Sequence, residues 1–64
     1  MEEYQKRVMN EKEELDVKVA SLTRFIKGPT FLSVSGDEQY LLVIQEDLMV
    51  RYSEILGKRI AAWK

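Results

Sequence analysis

The feature that most limits what this chain can fold into is one break, Lys27-Gly28-Pro29 followed by Ser33-Val34-Ser35-Gly36-Asp37-Glu38. It divides 64 residues into two long segments that both read as helices. Residues 2–27 contain neither proline nor glycine, and residues 37–63 contain only Gly57. Gly28 suits the left-handed position after a helix, and Pro29 prevents continuation. Ser35, with Glu38 three residues on, forms a capping box that starts the second helix. Val34 precedes that cap, but the polar Gln39 occupies the position where a hydrophobic staple would be completed. The expected fold is all-α: an antiparallel two-helix hairpin over residues 1–64. Helix 1 covers about 2–27, a structured loop 28–36 and helix 2 about 37–63. Phe31 and Leu32 in the loop are expected to seal one end of the core.

The first segment has a helical charge pattern. Glu2 and Glu3 begin it, Arg24 and Lys27 end it, and both placements favour the helix dipole. Glu2/Lys6, Glu3/Arg7 and Glu14/Lys18 place acid four residues before base, the better orientation. Its apolar stripe runs Tyr4, Val8, Leu15, Val19, Leu22, Ile26, widened by Phe25 and interrupted near Glu11 and Lys12. Three readings of the interruption compete: Glu11 or Lys12 lying over the core edge, a polar notch near Tyr4, Arg7 and Glu11, and a charge that sets helix register against a partner.

The second segment carries two apolar stripes. One is Leu41, Gln45, Leu48, Tyr52, Ile55, Arg59; the other is Leu42, Met49, Leu56, Trp63, spaced by sevens. Together they are wider than one antiparallel partner can cover. A 64-residue chain is already marginal alone, and no cysteine is present to staple it. Self-association into a homo-oligomeric helical bundle is therefore expected, with Leu42, Ile44, Met49, Leu56, Ile60 and Trp63 at the interface. Gly57 is expected to permit close helix approach. Tyr40-Leu41-Leu42-Val43-Ile44 favours a strand locally, but the cap before it and the spacing after it favour helix.

Composition narrows the chemistry. Histidine and cysteine are both absent, which removes the usual zinc and haem ligands and the commonest acid-base catalyst. The acidic pairs Asp37-Glu38 and Glu46-Asp47 lack calcium-loop spacing. Lys27-Gly28-Pro29-Thr30 is no Walker loop, because the lysine precedes the glycine and no strand comes before it. No catalytic residue, metal site or cofactor is expected, and the chain does not read as an enzyme. Eleven acidic and ten basic residues nearly balance, against a nucleic-acid polymer as partner. No stretch reads as a signal peptide or membrane span, so a cytoplasmic location is expected.

Arginine forks suit phosphate and tyrosine rings stack on bases. Arg51, Tyr52 and Arg59, with Lys27 or Tyr4 from a neighbouring chain, are the candidate residues for a phosphorylated ligand.

Arg7-Val8, Glu11-Lys12, Glu14-Leu15, Lys18, Leu22 and Phe25-Ile26, followed by Phe31, Leu41-Leu42, Gln45, Met49, Tyr52, Leu56 and Arg59-Ile60, carry a resemblance. The chain resembles a family of very small phage proteins related to a gene product of crAss-like bacteriophage. That resemblance implies a phage origin, a helical hairpin and no established catalytic residues. A phage source places the chain in the host cell cytoplasm and suggests a protein that disables a host factor. The function expected is an oligomeric sponge that sequesters a host phosphorylated signal, of cyclic-nucleotide or ADP-ribose type, without catalysis, to counter host defence. The alternative is a protein-binding inhibitor or adaptor that grips a host protein through the apolar face of helix 2.

Overall fold

The computed structural model describes residues 1–63. Helix α1 spans Glu3–Lys27, a short 3-10 turn spans Pro29–Ser33, and helix α2 spans Gly36–Ala61. The two helices lie against each other as a hairpin 46 Å long and 14 Å across. The chain is an all-α two-helix hairpin, and the Tyr40–Ile44 segment is helical in spite of its strand propensity.

Both helix starts are capped by their own sequence. The Gln5 side chain accepts a hydrogen bond from the Glu2 amide at 2.8 Å. Ser35 accepts one from the Glu38 amide at 3.2 Å. The missing staple has a polar substitute: Gln39 donates to the Val34 carbonyl at 3.0 Å. Satisfying end groups in this way is worth about 1 kcal/mol per cap.

The connection corrects two expectations. Gly28 is extended, with φ −86° and ψ 170°, not left-handed. Pro29 is the cause, because a residue before proline is pushed out of the helical region. Glycine is still favoured there for want of room, since a Cβ would lie 3.3 Å from the Arg24 carbonyl oxygen. Phe31 does seal this end, edge-on to Phe25 with ring centroids 6.3 Å apart. Leu32 does not, being 78% exposed.

The helices meet along a seam with alternating spacings of three and four. On α1 it is Gln5, Val8, Lys12, Leu15, Val19, Leu22, Ile26; on α2 it is Gln39, Leu42, Glu46, Met49, Ser53, Leu56, Ile60, and it continues to Trp63. All of these are buried or half-buried, and the only other helical residues that are not exposed, Thr23 and Gly57, sit beside the seam. This is the 3.5-residue repeat of a coiled coil. Its centre is Val8, Leu15 and Leu56, with Val19, Met49, Ile60 and Trp63 packed against them. Leu56 is 1% exposed, and burying such a side chain fully contributes about 1.5–3 kcal/mol. Tyr4 closes the end opposite the connection, edge-on to Trp63 at 6.0 Å.

The interruption of the α1 stripe is resolved in favour of Lys12. Its Nζ donates to Ser53 Oγ at 2.8 Å and to Asp16 Oδ2 at 3.0 Å, and Ser53 in turn donates to Asp16 Oδ1. The Lys12 stem lies over Gly57, where an added Cβ would meet Cε at 3.4 Å. Further along the seam, Thr23 donates to Glu46. Lys12 with Asp16, and Thr23, on α1 therefore each meet a polar partner on α2. Sliding either helix by a turn would leave these groups against apolar side chains, which costs about 1–3 kcal/mol per buried unpaired group. Lys12 is thus the long side chain lying over the core edge, its stem over Gly57 and its ammonium on Ser53 across the seam.

Candidate functional site

Helix α2 has a second face that α1 does not touch. Leu41, Ile44, Leu48, Tyr52 and Ile55 stand out along it, between 38% and 60% exposed. Leu41, Ile44, Gln45, Leu48, Met49 and Tyr52 line a shallow, mostly apolar groove on this side. Met49 forms the floor, since it also packs into the core between the helices.

The candidate ligand residues distribute unevenly over the molecule. Tyr52 lines the groove and is 44% exposed. Arg51 stands beside it, with Nε 3.0 Å from Asp47 Oδ2, both side chains well exposed. An exposed pair like this contributes little to stability, so the guanidinium can leave it at little cost. Arg59 lies exposed in the last turn of α2, two helical turns beyond Tyr52, a rise of about 10 Å. Tyr4 is at the same end of the hairpin as Arg59, held by Trp63. Lys27 ends α1 at the opposite end, beside the connection. Lys27 and Tyr4 lie 23 residues apart on one helix, about 35 Å. The structure therefore brings Arg51, Tyr52 and Arg59 along one stretch of α2, while Lys27 cannot join them within a single chain.

The six residues expected at a subunit interface also divide. Leu56 lies in the chain's own core, with Met49, Ile60 and Trp63 against it. Leu42 is a half-buried seam residue. Ile44 alone of the six is exposed on the outer face, at 38%. The physical reason is that α1 covers the stripe spaced by sevens. The stripe it leaves open is the one running through Leu41, Leu48, Tyr52 and Ile55.

The polar cluster in the seam is the feature that reading the two helices separately missed. Asp16 has its carboxyl held below the ordinary aspartate range by the hydrogen bond from Ser53 and, next, by that from Lys12; partial desolvation opposes them. Lysine, serine and aspartate together resemble hydrolase components, but the serine is buried between the helices. Ser53 gives its proton to a carboxylate, receives another hydrogen bond from Lys12 and is only 8% exposed. The signal that could have revealed it was the pairing of Lys12 with a serine on the opposite seam once the helices of the hairpin were aligned. Among the described residues no group of acidic side chains is placed to hold a metal ion, and no helix is long and apolar enough to cross a membrane.

The chain matches the Sequestin family model over residues 2–62. It is 44% identical over 61 residues to the "Uncharacterized 7.5 kDa protein in denB-rIIB intergenic region" of Enterobacteria phage T4, covering 95% of each chain. No solved structure matches it. These matches overturn the crAss-like resemblance. Several of the residues that carried it, among them Val8, Leu15, Leu22, Met49 and Leu56, are seam positions that any short helical hairpin fills with apolar side chains. The phage connection stands on the T4 relative instead, and the chain belongs to the Sequestin family.

Proposed function

We propose that this protein is a non-catalytic, self-associating binding protein that sequesters a phosphorylated host signal, of cyclic-nucleotide or ADP-ribose type, in the host cytoplasm and so counters host defence. The observation that carries the reading is the outer face of α2. There an aromatic ring, an apolar groove and two arginines occupy one stretch of a rigid helix. Tyr52 offers a surface for a base, and Arg51 and Arg59 offer forks for phosphates. Their spread of about 10 Å along the helix suits a ligand with two charged ends. The family name, Sequestin, agrees with binding of this kind. Absence of turnover is supported by the lack of histidine and cysteine and by the burial of Ser53 in the seam, away from any substrate.

The test is calorimetry with a panel of cyclic di- and trinucleotides and ADP-ribose derivatives, followed by denaturation and mass analysis of the released ligand. The expected result is micromolar or tighter binding by at least one compound, weakened at least tenfold by Arg51→Ala, with the ligand recovered intact. No binding at high micromolar concentration, or recovery of a cleaved product, would contradict it. A second reading, favoured by the same exposed apolar stripe, is that the face grips a helix of a host protein. A stoichiometric host partner displaced by Leu48→Asp, together with no nucleotide binding, would select it.

A further inference from the structure

The exposed stripe of α2 is symmetric about its middle residue. Counting outward from Leu48, Ile44 and Tyr52 lie four residues to either side, Leu41 and Ile55 seven, and Asp37 and Arg59 eleven. Every residue of the series is exposed. The steps between them are three or four residues throughout, so the series stays on one helix face. The stripe is thus apolar through its centre, acidic at one end and basic at the other. Glu38 and Lys58, ten residues out on either side, repeat the same opposition.

We infer that this face binds a second copy of the same chain, antiparallel, with the two-fold axis passing at Leu48. A two-fold interface needs a surface that is complementary to itself when reversed. Here reversal places Leu41 against Ile55 of the partner subunit, and Ile44 against Tyr52 of the partner subunit. It also sets Asp37 against Arg59 of the partner subunit, so the acidic start of each α2 meets the basic end of the other. A parallel arrangement would put Asp37 against its own copy and Arg59 against its own copy, two like-charge contacts. The helix dipoles favour the antiparallel arrangement for the same reason.

The exposed area supports a partner of this size. The hairpin exposes 4993 Å², whereas a compact folded protein of 7.5 kDa exposes about 4,200 Å². The excess is close to the share of about 800 Å² that each partner buries in a standard interface. Among the described residues neither Asp37 nor Arg59 forms an ion pair within the chain, so both are available.

This interface rests on the self-association in the proposed function and uses part of the same face, including Tyr52 and Arg59. The interface also divides the arginines. Arg59 serves the contact with the partner subunit's Asp37, and Arg51, at the rim, is the one left for a ligand.

The chain contains no cysteine, so single cysteines report on the interface directly. A disulfide needs the two Cα atoms within about 7 Å. Oxidised Leu48→Cys should crosslink to itself. Leu41→Cys and Ile55→Cys should each fail to crosslink alone but should crosslink when mixed. Circular dichroism on each variant checks that it is folded. Sedimentation of the unmodified chain should give a dimer or an assembly of dimers, and Arg59→Asp should weaken association at least tenfold, with Asp37→Arg in the same chain restoring it. Self-crosslinking of Leu41→Cys as efficient as the mixture, or a monomer at 0.5 mM protein, would overturn the inference. A dimer that binds no nucleotide removes the proposed function and leaves the interface standing; an assembled chain that binds one but crosslinks Leu41→Cys to itself as efficiently as the mixture does the reverse.

Discussion

The two faces of α2 make opposite use of similar material. The inner face carries Leu42, Glu46, Met49, Ser53, Leu56 and Ile60; the outer carries Leu41, Ile44, Leu48, Tyr52 and Ile55. The outer face is the more uniformly apolar, yet α1 packs on the inner one. The difference lies in the polar residues. α1 carries Lys12 in the middle of its own stripe and Thr23 beside it, and only the inner face supplies Ser53 and Glu46 to meet them. Against the outer stripe the Lys12–Asp16 pair would find no polar partner on α2 and would lie beside leucines and tyrosine, which costs desolvation. Hydrophobicity makes both faces sticky, and polar matching decides which one folds inward. What remains outside is a long apolar stripe with charged ends, the part of the molecule suited to binding something else.

The comparison is broken most strongly by changing its inner side. Leu56→Ala removes the most buried side chain, and the expected cost is about 2–5 kcal/mol. A domain of this length has only about 3–10 kcal/mol of stability. The variant should therefore lose much of its helical signal at 25 °C, read by circular dichroism with urea titration. Ser53→Ala removes the hydrogen bonds across the seam but leaves Lys12 and Asp16 paired with each other and open to water, and a loss of about 0.5–1.5 kcal/mol is expected in the same titration.

Acid acts on the same cluster more gently. The Asp16 carboxyl is lowered in the folded chain, so the folded state favours the ionised form. Its contribution is fully present at neutral pH, above the ordinary aspartate value, and is lost as pH falls below about 4 through the lowered folded value. Melting temperature should fall across that range, and Asp16→Asn should flatten that part of the profile. The smallest effect belongs to the outer side. Leu48→Ala, at a position 60% exposed, should change stability by no more than about 0.5 kcal/mol when measured at a dilution where the chain is monomeric. A loss as large as that of Leu56→Ala would erase the distinction between the faces.

Much of the fold is legible in the sequence because its determinants are local. The break at Gly28-Pro29, the Ser35 cap and the helical charge pairs each act within a few residues. Even so, Gly28 is misread when its conformation is assigned from glycine's habits alone, because Pro29 beside it decides. The assignment of faces is not local. Leu42, Met49, Leu56 and Trp63 look as suitable for a subunit interface as for a core until Lys12 is set opposite Ser53, a pairing across 41 residues. Of the candidate site, the residues on one stretch of α2 can be found from their spacing. The exclusion of Lys27 from them cannot, because it follows from the length of a rigid helix and the direction in which the hairpin closes.

The most direct measurement is an isotope-filtered nuclear Overhauser experiment on a mixture of labelled and unlabelled chains. It separates contacts within a chain from contacts between chains. Within one chain, Leu56 should show contacts to Val8 and Leu15. Between chains, contacts should arise from Leu41, Ile44, Leu48, Tyr52 and Ile55. Intermolecular contacts from Leu56 to Val8 or Leu15, with none from Leu48, would contradict the account.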